Sequence, residues 1–227
     1  AAFEYEVSDG FERANGTVTV TVAPVNDPPT AVNDSYSTDE DAALVVTAAD
    51  GVLDNDDDVD GDALVDATVI DDVDFGTLSL AGDGSFTYTP NADFSGTDAF
   101  TYRVEDGDGA SDVATVAITV DAVNDGPDAA DDTATVDEIG LVTIDLLAND
   151  GDPDGGVPTV TGLGLSGVAG RVENNGDGTV TYNPFGVFES LASGDTATDT
   201  FTYDVADGQG GTDTATVTVT NDGLADE

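Results

Sequence analysis

The 227-residue chain contains no cysteine, histidine, methionine or tryptophan, and its three basic residues are all arginine. Without cysteine there are no disulfides, and without cysteine or histidine the usual zinc, copper and iron ligand sets are missing. A chain with 3 basic and 49 acidic residues lacks the basic face that nucleic acid requires. No apolar run approaches the ~20 residues of a membrane span. We therefore expect neither a nucleic-acid partner nor membrane insertion.

The acidic residues give a formal net charge of -46, and aspartate outnumbers glutamate by 40 to 9. The short aspartate side chain suits tight turns and cation sites built from oxygen ligands. Self-repulsion at this charge density destabilises a compact fold unless cations or salt neutralise it. A calcium-rich extracellular medium and a high-salt environment would both do so, and the sequence leaves both open.

One eight-residue pattern, Phe-x-Tyr-x-Val-x-Asp-Gly, occurs three times, at residues 3–10, 100–107 and 201–208. Each copy leads into an alternating threonine and valine segment. A spacing of roughly 95–100 residues is close to the size of one domain and indicates a tandem array. Such arrays usually provide reach and multivalency rather than catalysis.

The repeats predict three segments. Residues 1–29 are expected to be the C-terminal hairpin and linker of a truncated preceding repeat. Residues 30–126 form one full repeat, and residues 127–227 form a second repeat with a seven-residue insertion near Phe188. Because an isolated hairpin is marginally stable at best, we expect residues 1–29 to need a partner, either upstream sequence or another chain.

Alternation of apolar and polar residues predicts seven short strands in the first full repeat. Their expected ranges are 31–37, 42–47, 64–70, 76–80, 84–90, 97–105 and 111–120. Period-two alternation places Phe100, Tyr102 and Val104 on the inward face of a half-buried antiparallel sheet. Seven strands with frequent Asp-Gly turns predict an all-β chain of tandem immunoglobulin-like Greek-key β-sandwiches.

The strongest candidate site lies in the loop Asp56-x-Asp58-x-Asp60-Gly61-Asp62. Alternate carboxylates in a tight loop can converge on one calcium ion, which takes six to eight oxygen ligands. Asp54 and Asn55 are further candidate ligands. The loop is not an EF-hand, because the twelfth position is Ala67 and no helices flank it. The alternative interpretation is an acidic turn that binds no ion.

The second repeat retains most of this loop. Asn149, Asp150, Asp152 and Asp154 stand at the corresponding positions, but Gly156 replaces the fourth acid. Calcium geometry then predicts a weaker site, or one that is completed by residues from elsewhere.

Three motifs together resemble the bacterial cadherin-like repeats of giant surface adhesins, including the VCBS variety. They are Asn55–Asp62 after an apolar strand, Gly84–Pro90, and Phe-Thr-Tyr-x-Val-x-Asp-Gly followed by Val-Asn-Asp-x-Pro. The Ser-Leu-Ala-Ser-Gly insertion at 190–194 is most similar to the VCBS variety. The resemblance covers essentially the whole chain. It implies a cadherin-like sandwich, secretion, cell-surface display, calcium binding, and a role in adhesion or biofilm matrix.

The resemblance also implies calcium at the junctions, where cadherins use a linker Asn-Asp pair and acids from the flanking domains. Asn26 and Asp27 stand close in sequence to Glu40, and Asn124 and Asp125 stand in the same relation to Glu138. Asp106 and Asp108 lie in a loop expected near the same sites. The alternative is an ordinary capped turn before a proline.

Three functions remain open from the sequence. The first is a calcium-stiffened stalk of a bacterial surface adhesin or matrix fibre. The second is a calcium-dependent module that binds polysaccharide or other copies of itself, with strand donation by residues 1–29 as a route to filaments. The third is a halophile's surface protein whose acidic loops bind no ion. An enzyme is not expected, because there is no histidine base, cysteine nucleophile, Gly-x-Ser-x-Gly turn or phosphate loop.

Overall fold

The computed structural model describes residues 1–225, which contain sixteen strands and one short 3-10 turn at Ala48–Asp50. The strands are β1 (Ala2–Ser8), β2 (Arg13–Thr19), β3 (Asp34–Asp39), β4 (Leu44–Val46), β5 (Val65–Asp71), β6 (Gly76–Leu80), β7 (Phe86–Pro90), β8 (Gly96–Glu105), β9 (Ser111–Asp121), β10 (Asp132–Asp137), β11 (Val142–Asp145), β12 (Thr159–Gly164), β13 (Arg171–Asn174), β14 (Thr179–Asn183), β15 (Thr196–Ala206) and β16 (Thr212–Asp222).

The chain divides into two compact units, residues 1–121 and the residues from Ala122 onward. Each unit contains one sandwich, so the predicted all-β tandem fold is confirmed. The hairpin and linker at residues 1–29 cluster with the first unit, and their assignment to a preceding repeat stays a prediction.

Each sandwich packs a four-stranded sheet against a three-stranded sheet. The first has strand orders β3-β9-β8-β5 and β4-β7-β6, and the second has β10-β16-β15-β12 and β11-β14-β13. The sequence predicted antiparallel sheets, but β3 pairs with β9, and β10 with β16, in parallel. The reason is that the first and last strands of each sandwich both begin at the end where the preceding linker enters.

The alternating faces of the long strands form the two cores, as predicted. Phe100, Tyr102 and Val104 are at most 1% exposed, and Tyr203 and Val205 are fully buried in the second sandwich. Full burial of a side chain of this size stabilises the fold by roughly 1.5–3 kcal/mol. Each sandwich therefore has a hydrophobic core of its own.

A buried aspartate at the start of β8 joins three segments of the first sandwich. Asp98 is 4% exposed. Its carboxylate accepts hydrogen bonds from the backbone N–H groups of Asp74 (3.0 Å) and Phe75 (2.9 Å) and from the Tyr88 hydroxyl (3.0 Å). Asp199 has the equivalent place in the second sandwich. These bonds satisfy a charge that would otherwise be costly to bury.

The N-terminal hairpin forms a separate two-stranded sheet. Phe3 pairs with Val18 and Tyr5 with Gly16, which places the apolar side chains on one face. Phe3 is 57% and Tyr5 47% exposed, whereas the same positions of β8 and β15 are buried. Among the described residues, no further strand pairs with this sheet.

Candidate metal centre

The loop after the 3-10 turn of the first sandwich folds around the side chain of Asp58. Gly61 has a φ of 79°, a conformation that favours glycine, and its N–H donates to the Asp58 carbonyl at 3.1 Å. The N–H groups of Asp60 (2.8 Å) and Asp62 (3.4 Å) donate to Oδ1 of Asp58. Asp58 is 6% exposed, and its Oδ2 is buried without a hydrogen-bond partner among the described residues.

Three carboxylates meet in this loop. Asp58, Asp60 and Asp62 each offer an oxygen atom, and these atoms lie within 4.8 Å of one another. Burial raises the pKa of Asp62, and the neighbouring charges of Asp58, Asp108 and Asp60 raise it further. A donor set of oxygen atoms alone suits a hard cation such as calcium. The unsatisfied buried oxygen of Asp58 and the converging carboxylates therefore fit calcium well.

The preceding linker and the loop that contains Asp106 and Asp108 lie beside this cluster. Asp106, which is 2% exposed, accepts hydrogen bonds from the Asp108 N–H (2.9 Å) and from Nδ2 of Asn26 (2.8 Å). The bond from Asn26 contributes most to lowering the pKa of Asp106. The N–H of Asp27 donates to Oδ2 of Asp60 at 2.8 Å. A cleft of about 300 Å³ lies here, with Asn26, Asp60, Asp62 and Asp108 in its wall.

The second sandwich repeats these linker contacts. Nδ2 of Asn124 donates to Asp207 at 2.7 Å, and the N–H of Asp125 donates to Oδ2 of Asp154 at 2.8 Å. The N–H of Asp154 donates to Oδ1 of Asp152 at 2.9 Å. The hydrogen bond from Asn124 is the main cause of the lowered pKa of Asp207. Sequence analysis missed Asp207, although alignment of the repeated pattern places it opposite Asp106.

Three of the predicted ligands in the first loop lie outside the cluster. Asp56 accepts hydrogen bonds from the Val32 N–H (2.8 Å) and from the Tyr102 hydroxyl (3.0 Å to Oδ2). Asn55 donates to Asp34 at 2.9 Å, and the charge of Asp54 contributes to raising the pKa of Asp34. The hydrogen bonds of Asp56 and Asn55 hold the loop to the sandwich.

Asn149 and Asp150 have matching roles in the second sandwich. Oδ1 of Asp150 accepts hydrogen bonds from the Ala130 N–H (2.9 Å) and the Tyr203 hydroxyl (3.0 Å). Nδ2 of Asn149 donates to the carbonyls of Ala130 (3.2 Å) and Asp131 (3.1 Å). The structure thus divides each predicted loop into an anchoring half and a half that faces the linker.

Each sandwich also has one partly buried aspartate beside its anchoring residues, and sequence analysis did not identify either of them. Burial, with the charge of Asp56, raises the pKa of Asp34 to about 6. Burial, with the charge of Asp150, likewise raises the pKa of Asp132 to about 6. Oδ2 of each has no hydrogen-bond partner among residues 1–225. Both positions follow the linker at the start of a strand, which gave no local signal of burial.

The two predicted glutamates lie at the opposite end of their own sandwiches. The N–H of Glu40 donates to the Asp121 carbonyl at 2.9 Å, at the far end of the 11-residue strand β9. A strand of that length spans about 35 Å. The N–H of Glu138 donates to Asp222 at 3.0 Å, and its Oε1 accepts the Leu224 N–H at 3.1 Å. Closeness in sequence to Asn26 therefore does not bring Glu40 into the cluster around Asp58.

Comparison with protein families identifies both sandwiches. Residues 26–122 match the family model described as the bacterial cadherin-like domain, and residues 124–220 match the one described as the bacterial Ig domain. Each sandwich is thus similar to one of these two bacterial domain families. Domains of these classes are typically non-enzymatic, and bacterial cadherin-like domains are usually extracellular. In residues 1–225, no helix has the length and apolar character needed to cross a membrane. No curated protein matches the chain.

Solved structures with this architecture include cadherins. Human CDH23 EC21-23 matches with a TM-score of 0.50 at 16% identity, over 87% of this chain and 70% of that chain. Drosophila N-cadherin EC1-4 matches with a TM-score of 0.47 at 15% identity, over 86% and 50%. The endo-fucoidan hydrolase MfFcnA4 from glycoside hydrolase family 107 matches with a TM-score of 0.35 at 19% identity, over 99% of this chain and 34% of that chain. This chain thus spans about a third of that hydrolase. At these identities the likeness concerns the fold, and the hydrolase match is too weak to carry an argument.

Proposed function

We propose that this chain is a calcium-stiffened segment of an extracellular stalk, within a bacterial surface adhesin or matrix fibre. The observation that carries the proposal is the buried Oδ2 of Asp58, which lacks a hydrogen-bond partner in a cluster of three carboxylates. An unsatisfied buried carboxylate oxygen is costly, and a cation bound there would remove that cost.

Calcium would be held in the first sandwich by Asp58, Asp60 and Asp62, and in the second by Asp152 and Asp154. In each sandwich, the ion would supply positive charge that neutralises the carboxylates around it. The chain's own residues hold the linker against the same place, through the Asp27 N–H to Asp60 and Asn26 to Asp106. Ion binding would therefore stabilise both the sandwich and the path of its linker.

The test is a calcium titration of a chelator-treated sample, followed by thermal unfolding at constant ionic strength. Calcium at about 100 times its dissociation constant stabilises the folded state by about 2.7 kcal/mol per site. For a domain of this size that free energy corresponds to a rise in Tm of roughly 10–20 °C. Magnesium and molar sodium chloride form the control arms.

We expect a rise in Tm that saturates at micromolar to low-millimolar calcium and that magnesium does not match. A rise that molar salt reproduces in full, without calcium, would instead support non-specific neutralisation of the acidic surface. A flat response to calcium would refute the proposal.

A second candidate function is self-assembly through residues 1–29, and the exposed apolar face of the hairpin favours it. Phe3, Tyr5 and Val7 are 57%, 47% and 58% exposed there, while the same pattern is buried in both sandwiches. A second copy of the chain could pair with an edge strand of this hairpin and pack its own apolar side chains on the exposed face. Sedimentation of a variant that starts at Thr30 tests this, since assembly that survives loss of the hairpin excludes strand donation.

A further inference from the structure

The loop between β14 and β15 contains the seven-residue insertion and lies against the chain that leaves the second sandwich. This insertion loop comprises residues 184–195, whereas the corresponding loop of the first sandwich, between β7 and β8, comprises residues 91–95. The backbone hydrogen bonds of the second sandwich continue beyond the end of β16 at Asp222 and into the insertion loop. The calcium function proposed above makes no use of this loop.

The first two residues after β16 are held from two directions. The Gly223 N–H donates to the Asp195 carbonyl at 2.9 Å, and the Gly194 N–H donates to the Gly223 carbonyl at 3.4 Å. From the other direction, Oε1 of Glu138 accepts the Leu224 N–H at 3.1 Å, and Glu138 is 4% exposed directly after β10. The outgoing chain is therefore bonded both to the insertion loop and to the turn that follows β10.

Gly223 is buried and packs so closely against the insertion loop that no larger residue fits there. A Cβ at position 223 would clash with the Ala192 carbonyl oxygen and would lie 2.8 Å from the Leu191 Cβ. The loop is itself anchored, because Phe188 packs against the core and its carbonyl accepts the Leu191 N–H at 2.9 Å. The contact thus joins the outgoing chain to a part of the loop that is fixed to the core.

The strand order determines how this end of the sandwich responds to tension. Residues 132–137 of β10 pair in parallel with residues 217–222 of β16. The chain therefore enters at the N-terminal end of one strand and leaves at the C-terminal end of its neighbour. A pull at these two points slides the strands along each other and loads the hydrogen bonds between them together. A pull that instead lifts β16 away at Asp222 breaks the same bonds one at a time, which needs less force.

We propose that the insertion loop is a clasp for the outgoing chain. Together with Glu138 it holds Gly223 and Leu224, so that tension loads the β10–β16 ladder in shear and does not peel β16 from its end. The inference rests on the stalk role in the proposed function, because a stalk transmits tension, but it does not depend on calcium. Calcium titration tests the ion, and force applied at chosen residues tests the clasp.

The test measures the rate at which the second sandwich unfolds at constant force in the full chain. Because the chain has no cysteine, two introduced cysteines are unique attachment points for DNA handles. Ala122→Cys provides one handle throughout. Ala225→Cys applies the force through the clasp, whereas Gln209→Cys applies it in the loop before β16, which leaves the clasp unloaded. Gly223→Ala opens the clasp, and Gly151→Ala is the control because Gly151 is exposed and a Cβ there would meet nothing within 4 Å.

We expect Gly223→Ala to raise the unfolding rate at least about tenfold when force is applied at residue 225, but less than about twofold at residue 209. Gly151→Ala should match the parent at both points. Equal acceleration at both points would show a general loss of stability and would overturn the inference, as would no acceleration at residue 225. The same ratio should be found in calcium and in chelator, so a flat calcium titration alongside it would refute the calcium mechanism alone.

Hydrogen exchange of the parent chain gives a second measurement that does not depend on any variant folding. The N–H groups of Gly223 and Leu224 should exchange as slowly as those in the last turns of hydrogen bonding of β16, because both donate to acceptors of the folded sandwich. Exchange as fast as that of an exposed loop would overturn the inference even if Gly223→Ala did not fold.

Discussion

Replacing Asp98 with asparagine should destabilise the first sandwich strongly, although the two side chains have the same shape. The carboxylate accepts hydrogen bonds from the N–H groups of Asp74 and Phe75 and from the Tyr88 hydroxyl, at 2.9–3.0 Å. An asparagine must point its own NH₂ group at some of these donors. Hydrogen bonds to charged groups contribute roughly 1.5–3 kcal/mol each, and removal of the buried charge offsets part of the loss. We expect a net cost of about 3 kcal/mol.

The assay is thermal and urea unfolding of the full chain, in which the second sandwich serves as an internal reference. At 4–8 °C per kcal/mol for a domain of this size, the transition of the first sandwich should fall by roughly 12–24 °C. Tyr88→Phe removes one of the bonds to the charged carboxylate and should cost about 1.5–3 kcal/mol. The double variant should cost less than the sum, because both changes remove the same interaction.

Asp93→Asn is the matched control, and it should change the free energy of unfolding by less than about 0.5 kcal/mol because the side chain is exposed. A cost below about 1 kcal/mol for Asp98→Asn, or strict additivity with Tyr88→Phe, would refute the view that this carboxylate organises the end of the sandwich.

The pH dependence and one glycine provide two further tests. Because the pKa values of Asp34 and Asp132 are raised from 3.8 to about 6, the folded chain holds protons there that the unfolded chain releases. In the presence of a chelator, the Tm should therefore fall as the pH rises from about 4 to about 6. The Asp34→Asn variant should flatten this pH dependence in the first sandwich. An unchanged slope in that variant would contradict the role of Asp34. In urea unfolding, Gly84→Ala should destabilise the first sandwich by about 1–3 kcal/mol more than Gly109→Ala does. Both glycines have a positive φ, but only a Cβ at position 84 would lie 2.9 Å from the Leu53 side chain. Equal losses would show that the contact with Leu53 is unimportant.

Much of the fold is determined by local pattern. Strict alternation in Phe100-Thr-Tyr-Arg-Val104 assigns alternate side chains to opposite faces, since a strand has a period of two. All three apolar residues of that segment are buried, and so are Tyr203 and Val205 in the second copy. The repeated pattern and its spacing likewise predicted two sandwiches. These inferences hold because strand periodicity and repeat length are properties of contiguous sequence.

The grouping of the site residues was decided by tertiary structure. The acidic loop looked like one ligand set, yet Asp56 bonds Tyr102, which lies 46 residues away, while Asp58 lies with Asp60 and Asp62 in a separate cluster. Asn26 reaches Asp106, 80 residues away, and not the nearby Glu40. The parallel pairing of first and last strands has the same origin. Loop spacing shows only that carboxylates are abundant. Strand order decides which carboxylates share a site, because it brings loops that are distant in sequence to the same end of a sandwich.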